Sequence, residues 1–298
     1  MDIRVRDVHQ SGRQQVEAWD RGSVHFLKHP LEPSLGGTAA TAYLLGCLGE
    51  NVLLNTLVGN DTFGALLKTW FDDAGVCLLG PFVESTATNV LLAEPDGTPH
   101  WHYFTGKNVE WERSLSISDA SWFYTSGFGQ ASETDLKEMN NLFVKFSSQG
   151  SKVAFDPGPW LFANVSQEQM QDSWRSVDCL VGTESELSLW YGCDSVTELI
   201  QHLLQLGPSQ VVVKRGSEGA AFGEIGAEVQ MLPTERIDNA NAVGAGDAFN
   251  AALLHSLNQG VSLFDSVKTA IQLATNTLRR GKGILGAELI EKGHFREA

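Results

Sequence analysis

The 298-residue chain has little cysteine, little positive charge and no long hydrophobic run, and each shortage closes off a class of protein. The four cysteines, Cys47, Cys77, Cys179 and Cys193, show no CxxC spacing and sit in apolar or helix-like surroundings, the pattern of free thiols in a reducing compartment. Only 21 lysines and arginines stand against 36 aspartates and glutamates, a formal charge of -15, so nucleic acid and anionic membrane surfaces are repelled. A small-molecule partner is expected instead. The N-terminus, Met1-Asp2-Ile3-Arg4-Val5-Arg6-Asp7, lacks the apolar stretch of a secretion signal, and no apolar run approaches membrane-spanning length, which predicts a cytoplasmic protein. HExxH, P-loop and Gly-x-Ser-x-Gly patterns are missing as well. His100 and His102 share one face of a predicted strand, but they have no companion ligands that would make a zinc site.

What the chain does have is glycine at telling places. Residues 241–247 read Asn-Ala-Val-Gly-Ala-Gly-Asp and run directly into the apolar-periodic Ala248-Phe249-Asn250-Ala251-Ala252-Leu253-Leu254. Two glycines one residue apart let a backbone approach a ligand, and the helix starting there offers unpaired N–H groups and the positive end of its dipole. That suits a phosphate. A carboxylate at such a mouth repels ground-state phosphate, so Asp247 needs another task, and accepting the proton of an attacking hydroxyl is one. On the motif alone, a glycine-rich turn with Asp247 as an ordinary first-turn helix residue stands beside this reading.

With 42% hydrophobic and 19% charged residues, the chain can bury a sizeable core as one large domain or a domain with an appendage. From about residue 36 helical and strand patterns alternate as in a parallel sheet with crossover helices. Gly36-Gly37 opens a small-residue helix from Thr38 to Leu48, Asn51 to Val58 is a predicted strand, and Gly59-Asn60-Asp61-Thr62-Phe63-Gly64 turns into the next helix. Ala120 to Thr125, Lys152 to Phe155, Cys179 to Val181 and Gln210 to Lys214 are short apolar runs of the kind that make buried parallel strands. Residues 14–27 and 87–104 break this rhythm, the latter as two extended runs joined through Pro95-Asp96-Gly97. They predict a small antiparallel sheet that either covers the strand ends as a lid or is a plain surface hairpin.

In this order the motifs resemble those of the ribokinase-like, or PfkB, carbohydrate kinases. The C-terminal signature of that family is matched at 241–249, and its Gly-Gly helix and Gly-x-Asp-x-x-Gly turn at Gly36-Gly37 and 59–64. Two ordered signatures roughly 200 residues apart are hard to obtain by coincidence. The resemblance covers nearly the whole chain and implies an α/β, three-layer αβα fold with a mostly parallel central sheet. It implies residues 36–83 and 106–298 as the nucleotide- and substrate-binding domain, with 3–35 and 84–105 as a small β-sheet lid.

The resemblance also implies roles. Asp247 becomes the general base, and Gly244, Ala245 and Gly246 with the Asp247 N–H become the anion hole for the transferring phosphoryl group. Val211-Val212-Val213-Lys214-Arg215-Gly216-Ser217-Glu218-Gly219 resembles the strand and loop beside the nucleotide, which puts Lys214, Gly216, Ser217 and Gly219 there. On its own residues the segment is equally a structural turn, with Lys214 an exposed strand-end lysine. Thr183 and Glu186 match the family's Asn-x-x-Glu motif, in which the glutamate arranges Mg2+ through water, with threonine replacing the asparagine. The same two residues suit the N-cap and N3 positions of a capping box. For the sugar, the resemblance points to Asp2, Gly36, Gly37 and Thr41, where Thr41 replaces the usual asparagine. Trp101, Trp111 and Trp160 are candidates for an apolar wall or for plain packing.

Two further departures stand out. Asn241 and Ala242 replace an Asp-Thr pair associated with a potassium-like ion, so the resemblance carries over no firm monovalent-cation site. Family chains begin with a buried strand ending in aspartate, whereas here Met1 directly precedes Asp2. The alternatives are a start upstream of Met1, or a sheet with one strand fewer and an unpaired edge. The expectation is therefore an ATP- and Mg2+-dependent kinase of a sugar or sugar-like substrate. A nucleoside kinase of the same family and a catalytically weak sugar- or nucleotide-binding sensor are the alternatives, and a homodimer through the lid edge is the expected assembly.

Overall fold

The computed structural model describes residues 2–5, 8–10, 25–27, 32–93, 99–126, 132–158, 161–237, 242–281 and 283–286. Strands β1 (Asp2–Val5), β2 (Val8–Gln10), β3 (His25–Leu27) and β4 (Glu32–Ser34) precede helix α1 (Thr38–Cys47). Next come β5 (Leu53–Leu54), β6 (Val58–Gly59), α2 (Thr62–Ala74), β7 (Cys77–Leu78), β8 (Phe82–Val83), β9 (Thr88–Ala93) and β10 (Pro99–Phe104). The chain then alternates through β11 (Trp122–Ser126), α3 (Glu133–Ser148), β12 (Lys152–Asp156), α4 (Leu161–Asn164), α5 (Gln167–Trp174), β13 (Cys179–Thr183), α6 (Glu184–Ser188) and α7 (Val196–Leu206). It ends, as far as it is described, with β14 (Gln210–Lys214), β15 (Ala220–Glu224), β16 (Gln230–Leu232), α8 (Ala245–Asn258), α9 (Leu263–Arg280) and a short 3-10 turn, Gly283–Gly286.

The main sheet runs β11-β12-β13-β14-β15-β16, parallel through β14 and antiparallel beyond it. Its layers follow from side-chain alternation along each strand. Val153 and Phe155 of β12, Leu180 of β13 and Val211 and Val213 of β14 pack with Phe143, Trp174 and Leu203 from α3, α5 and α7. Ala154, Cys179, Val181 and Val212 point the other way, into Leu44, Phe71, Leu253 and Val267 of α1, α2, α8 and α9. Both faces are covered, so the strands had to read as continuous apolar runs. Among the described residues no helix is long and apolar enough to cross a membrane.

One predicted strand is broken. The run from Asn51 to Val58 forms two short pieces, β5 and β6, which pair in parallel with β7 and β8. Between them the Asn55 side chain donates to the Glu110 carbonyl and to Ser114 Oγ, both 3.0 Å away, and this polar anchor turns the backbone out of the ladder. A separate four-stranded sheet has the order β10-β9-β1-β4, so Asp2–Val5 lies there, antiparallel to β4 and parallel to β9. The main sheet's β11 pairs, among the described residues, with β12 alone. Of predicted strand 14–27, His25–Leu27 is described and pairs with β2, while the Pro95-Asp96-Gly97 turn lies outside the described residues.

The Gly-x-Asp-x-x-Gly turn is a scaffold clamp. Asp61 caps α2 by accepting from the Gly64 amide, and also accepts from the Thr86 amide and hydroxyl, each at 2.7 Å. A Cβ on Gly64 would stand 1.8 Å from the Gly59 carbonyl oxygen, and one on Gly59 2.2 Å from the Thr86 nitrogen, so both must be glycine. Burial pushes the Asp61 pKa up, but the hydrogen bonds from Thr86 and Gly64 outweigh it and hold the carboxyl below its usual range. A depressed pKa contributes stability above the unfolded value of about 4 that is lost as pH falls through the folded value. Asp61→Asn should therefore cost about 1–2 kcal/mol near neutral pH, with the gap from wild type closing below about pH 4. Urea unfolding across that range measures it, and a pH-independent gap would count against the clamp.

Candidate active site

Four parallel strands end at the same side of the sheet. Their last residues, Ser126, Asp156, Thr183 and Lys214, all line one cavity of about 270 Å3. Ser126 pairs with Asp156 and Thr183 with Lys214, and the second pair of strands runs two residues beyond the first. The carboxyl ends of such strands are where α/β sheets bind ligands. Two helix starts close the cavity: Gly37, which caps α1, and Gly244, Gly246 and Asp247 at the tip of α8.

At that tip Gly244 holds a left-handed conformation, φ 86°, and starts the helix when its carbonyl accepts from the Ala248 amide at 2.9 Å. The Ala245 amide is already taken by the Ala242 carbonyl at 3.2 Å, and Ala245 does not line the cavity. The tip therefore presents the Gly246 amide, together with the helix dipole, to the space Asp247 borders.

The cavity floor is a closed polar network. Lys214 Nζ donates to Asp156 Oδ2 at 2.8 Å and to Asn250 Oδ1 at 3.3 Å. Asn250 Nδ2 donates to Asp156 Oδ2 at 2.8 Å and to the Tyr124 hydroxyl at 3.0 Å, and the Gly158 amide donates to Asp156 Oδ1 at 3.1 Å. Lys214 is thus not an exposed strand-end lysine: its side chain is 12% exposed and ion-paired, because the strand end points into the cleft rather than into solvent. Burial alone would lower the Lys214 pKa, but the Asp156 charge, followed by Glu186 and Asp247, outweighs it and holds the ammonium above its usual range. Burial first, then the charges of Asp156 and Asp247, pushes the Tyr124 hydroxyl well above the ordinary phenol range. That floor is polar yet electrically settled.

Thr183 and Glu186 form the capping box. Thr183 Oγ1 accepts from the Glu186 amide at 3.2 Å, and Glu186 Oε2 accepts from the Thr183 amide at 2.9 Å. Both residues still line the cavity. Gly216, Ser217 and Gly219 sit on a 3-10 turn outside the cavity lining, pinned by the Arg215 amide to the Gly219 carbonyl at 2.8 Å. Arg215 Nε also reaches Glu184 Oε2 at 2.9 Å, which ties this turn to the Thr183 helix.

On the opposite side Gly37 borders the cavity, Gly36 precedes it, and Thr41 is fully buried in α1. Thr38 and Ser126 share a hydroxyl hydrogen bond of 2.9 Å that fixes α1 to the end of β11. Asp2 lies in register with Ser34 and Asn89, while its side chain, like those of Trp101 and Trp160, lies outside the described residues, as does Asn241. Trp111 is away from the cavity, donating to Asp135 Oδ1 at 2.9 Å. Asp156, Asn250 and Tyr124 escaped the sequence reading. A carboxylate closing a predicted parallel strand was the available signal for the first.

The family model for the pfkB family carbohydrate kinases matches residues 13–288. The chain belongs to that family. It is 26% identical over 257 residues to 2-dehydro-3-deoxygluconokinase of Escherichia coli K12, covering 78% of this chain and 82% of that one. In structure it is similar to ribokinase from Thermotoga maritima, with TM-score 0.77 and 19% identity over 96% of this chain and 92% of that one. It is also similar to Arabidopsis thaliana ribokinase complexed with ribose and ATP, with TM-score 0.74 and 19% identity over the same shares. This pfkB-family member is a sugar kinase, a phosphotransferase, and has the ribokinase-like fold expected from its motifs.

Proposed function

We propose that the chain transfers the γ-phosphoryl group of ATP to a hydroxyl of a sugar or sugar acid. The observation that carries this is the single cavity onto which the α8 tip, with Asp247, and the ends of four parallel strands open together. The sugar hydroxyl gives its proton to the Asp247 carboxylate, its oxygen forms the new bond to phosphorus, and the bond to the β,γ-bridging oxygen breaks with its electron pair left on ADP. Gly244, Gly246 and the Asp247 N–H are assigned to the charge developing on the phosphoryl oxygens, while Ala245, whose N–H is bonded to the Ala242 carbonyl, shapes the turn between the two glycines. Thr183, Glu186, Lys214 and the turn of Gly216, Ser217 and Gly219 form the nucleotide side, and Asp2, Gly36, Gly37 and Thr41 the sugar side.

Among the described residues no group of three carboxylate, histidine or cysteine side chains could hold a metal ion by itself. Glu186 at the cavity wall fits an ion that keeps its waters and arrives with the phosphates, which is the habit of Mg2+. When bound, that ion would neutralise phosphate charge. We assign residues 36–83 and 106–298 to the catalytic domain and 3–35 and 84–105 to a lid, whose edge strand β10 carries the exposed Tyr103 and Phe104 and supports the expected homodimer. An ADP-release assay with Mg·ATP across sugars, sugar acids and nucleosides, with and without K+, tests the reading. Turnover confined to one sugar class is expected. Binding without turnover on any acceptor would instead make the chain a sensor.

A further inference from the structure

The cavity walls carry three carboxylates, Asp156, Glu186 and Asp247, against one described cation, Lys214. A lysine left to itself among them would swing to whichever acid it met, and pairing with Asp247 would disable that group as a base. Here it cannot swing. The ammonium is held by Asp156 Oδ2 and Asn250 Oδ1, while Asn250 and the Gly158 amide hold Asp156 in turn. The floor is fully committed on its own account, and Tyr124 OH accepts the second amide hydrogen of Asn250. An ammonium has three N–H donors, and two are spent on this floor. Its Nζ lies 3.8 Å from where a Cβ on Gly246 would stand, so the charge sits beside Gly246 at the α8 tip. A buried ion pair is a poor stabiliser compared with an apolar pair of the same size, so its place at a cavity floor points to a task beyond folding.

We propose that Asp156 and Asn250 are positioning residues that hold Lys214 away from Asp247 and against the terminal phosphoryl group of ATP. The inference rests on the kinase reading above and specifies which phosphate Lys214 meets. Lys214 acts on the γ-phosphate. Asp156 takes the role of the ammonium's counter-ion. The groups facing Lys214 are Asp156 from β12, Glu186 from α6, and Asp247 and Asn250 from α8.

The test compares binding of Mg·ADP and of the Mg2+ complex of the β,γ-methylene analogue of ATP by calorimetry. Wild type should bind both. Lys214→Met should weaken the analogue roughly ten- to hundredfold, the worth of one charge-assisted hydrogen bond, while Mg·ADP is held within about twofold. Asp156→Asn and Asn250→Leu, which loosen the ammonium without removing it, should show the same selective loss at about a third of that size on a logarithmic scale. Because Lys214→Met strands a buried carboxylate, the double variant Lys214→Met/Asp156→Leu removes the pair together and should melt near wild type with the full selective loss. Equal loss of both nucleotides, or of neither, would overturn the inference and leave the kinase reading standing. Failure of wild type to bind either nucleotide would instead remove the kinase reading itself.

Discussion

Asp247→Asn is expected to lower kcat by about a hundredfold or more while Mg·ADP binding survives. A sugar hydroxyl is a poor nucleophile at neutral pH, and phosphoryl transfer otherwise needs mainly alignment and charge stabilisation, so removing the proton acceptor strikes the chemical step. Three carboxylates border the cavity, and Asp247 is the one carried by the glycine tip of α8. Asp156 has Oδ2 taken by Lys214 and Asn250 and Oδ1 by the Gly158 amide, so it already serves as the counter-ion of the cavity floor. Glu186 accepts from the Thr183 amide with Oε2, which closes its capping box. Asp247 stands in the first turn of α8 beside the Gly246 amide, where the reacting phosphorus would lie. Initial-rate kinetics with the acceptor identified in the panel, alongside calorimetric Mg·ADP binding, measure the effect. Near-normal turnover would take the base role from Asp247, and combined loss of nucleotide binding would make the residue a binding group instead.

The fold was legible because its main sheet obeys the simplest rule available to a chain. Strands covered on both faces must be apolar along their buried length, and 153–155, 179–181 and 211–213 are visibly so. The start of α8 was legible too, since glycine ahead of an apolar-periodic run marks a turn into a helix, and Gly244 makes that turn at φ 86°. Thr183 was legible as an N-cap, and its capping box holds Glu186 against the same cavity. Long-range polar partners were not. Asp156 and Asn250 are 94 residues apart and Asn250 and Tyr124 are 126 apart, and no local pattern announces that such side chains will share a floor. Lys214 was misjudged for that reason, as its counter-ion lies 58 residues upstream. The break at 55–57 was hidden likewise, because Asn55 is drawn out of its strand by Glu110 and Ser114, which belong to a distant loop and turn.

A methyl group on Gly244 should separate the helix tip's geometry from mere backbone strain. Gly244 sits at φ 86°, and an added Cβ would lie 3.1 Å from Ile284 Cγ1 and 3.2 Å from its Cδ1. Ile284 is 1% exposed and enclosed by the core of α8 and α9, so it yields little, and the tip of α8 must move instead. Gly260, just past the other end of the same helix, has φ 74° and open space around its missing Cβ. Gly260→Ala therefore carries the conformational cost of about 1–2 kcal/mol and nothing else. Gly244→Ala carries that cost plus a displacement of the amides proposed to meet the transferring phosphoryl group. Shifts of a few tenths of an ångström there are expected to lower kcat by roughly ten- to a hundredfold. Both variants should melt several degrees below wild type, yet only Gly244→Ala should lose turnover at a temperature where both are folded. Equal turnover in the two would mean that the α8 tip binds phosphate loosely or not at all, and that the two glycines of the signature serve chain geometry alone.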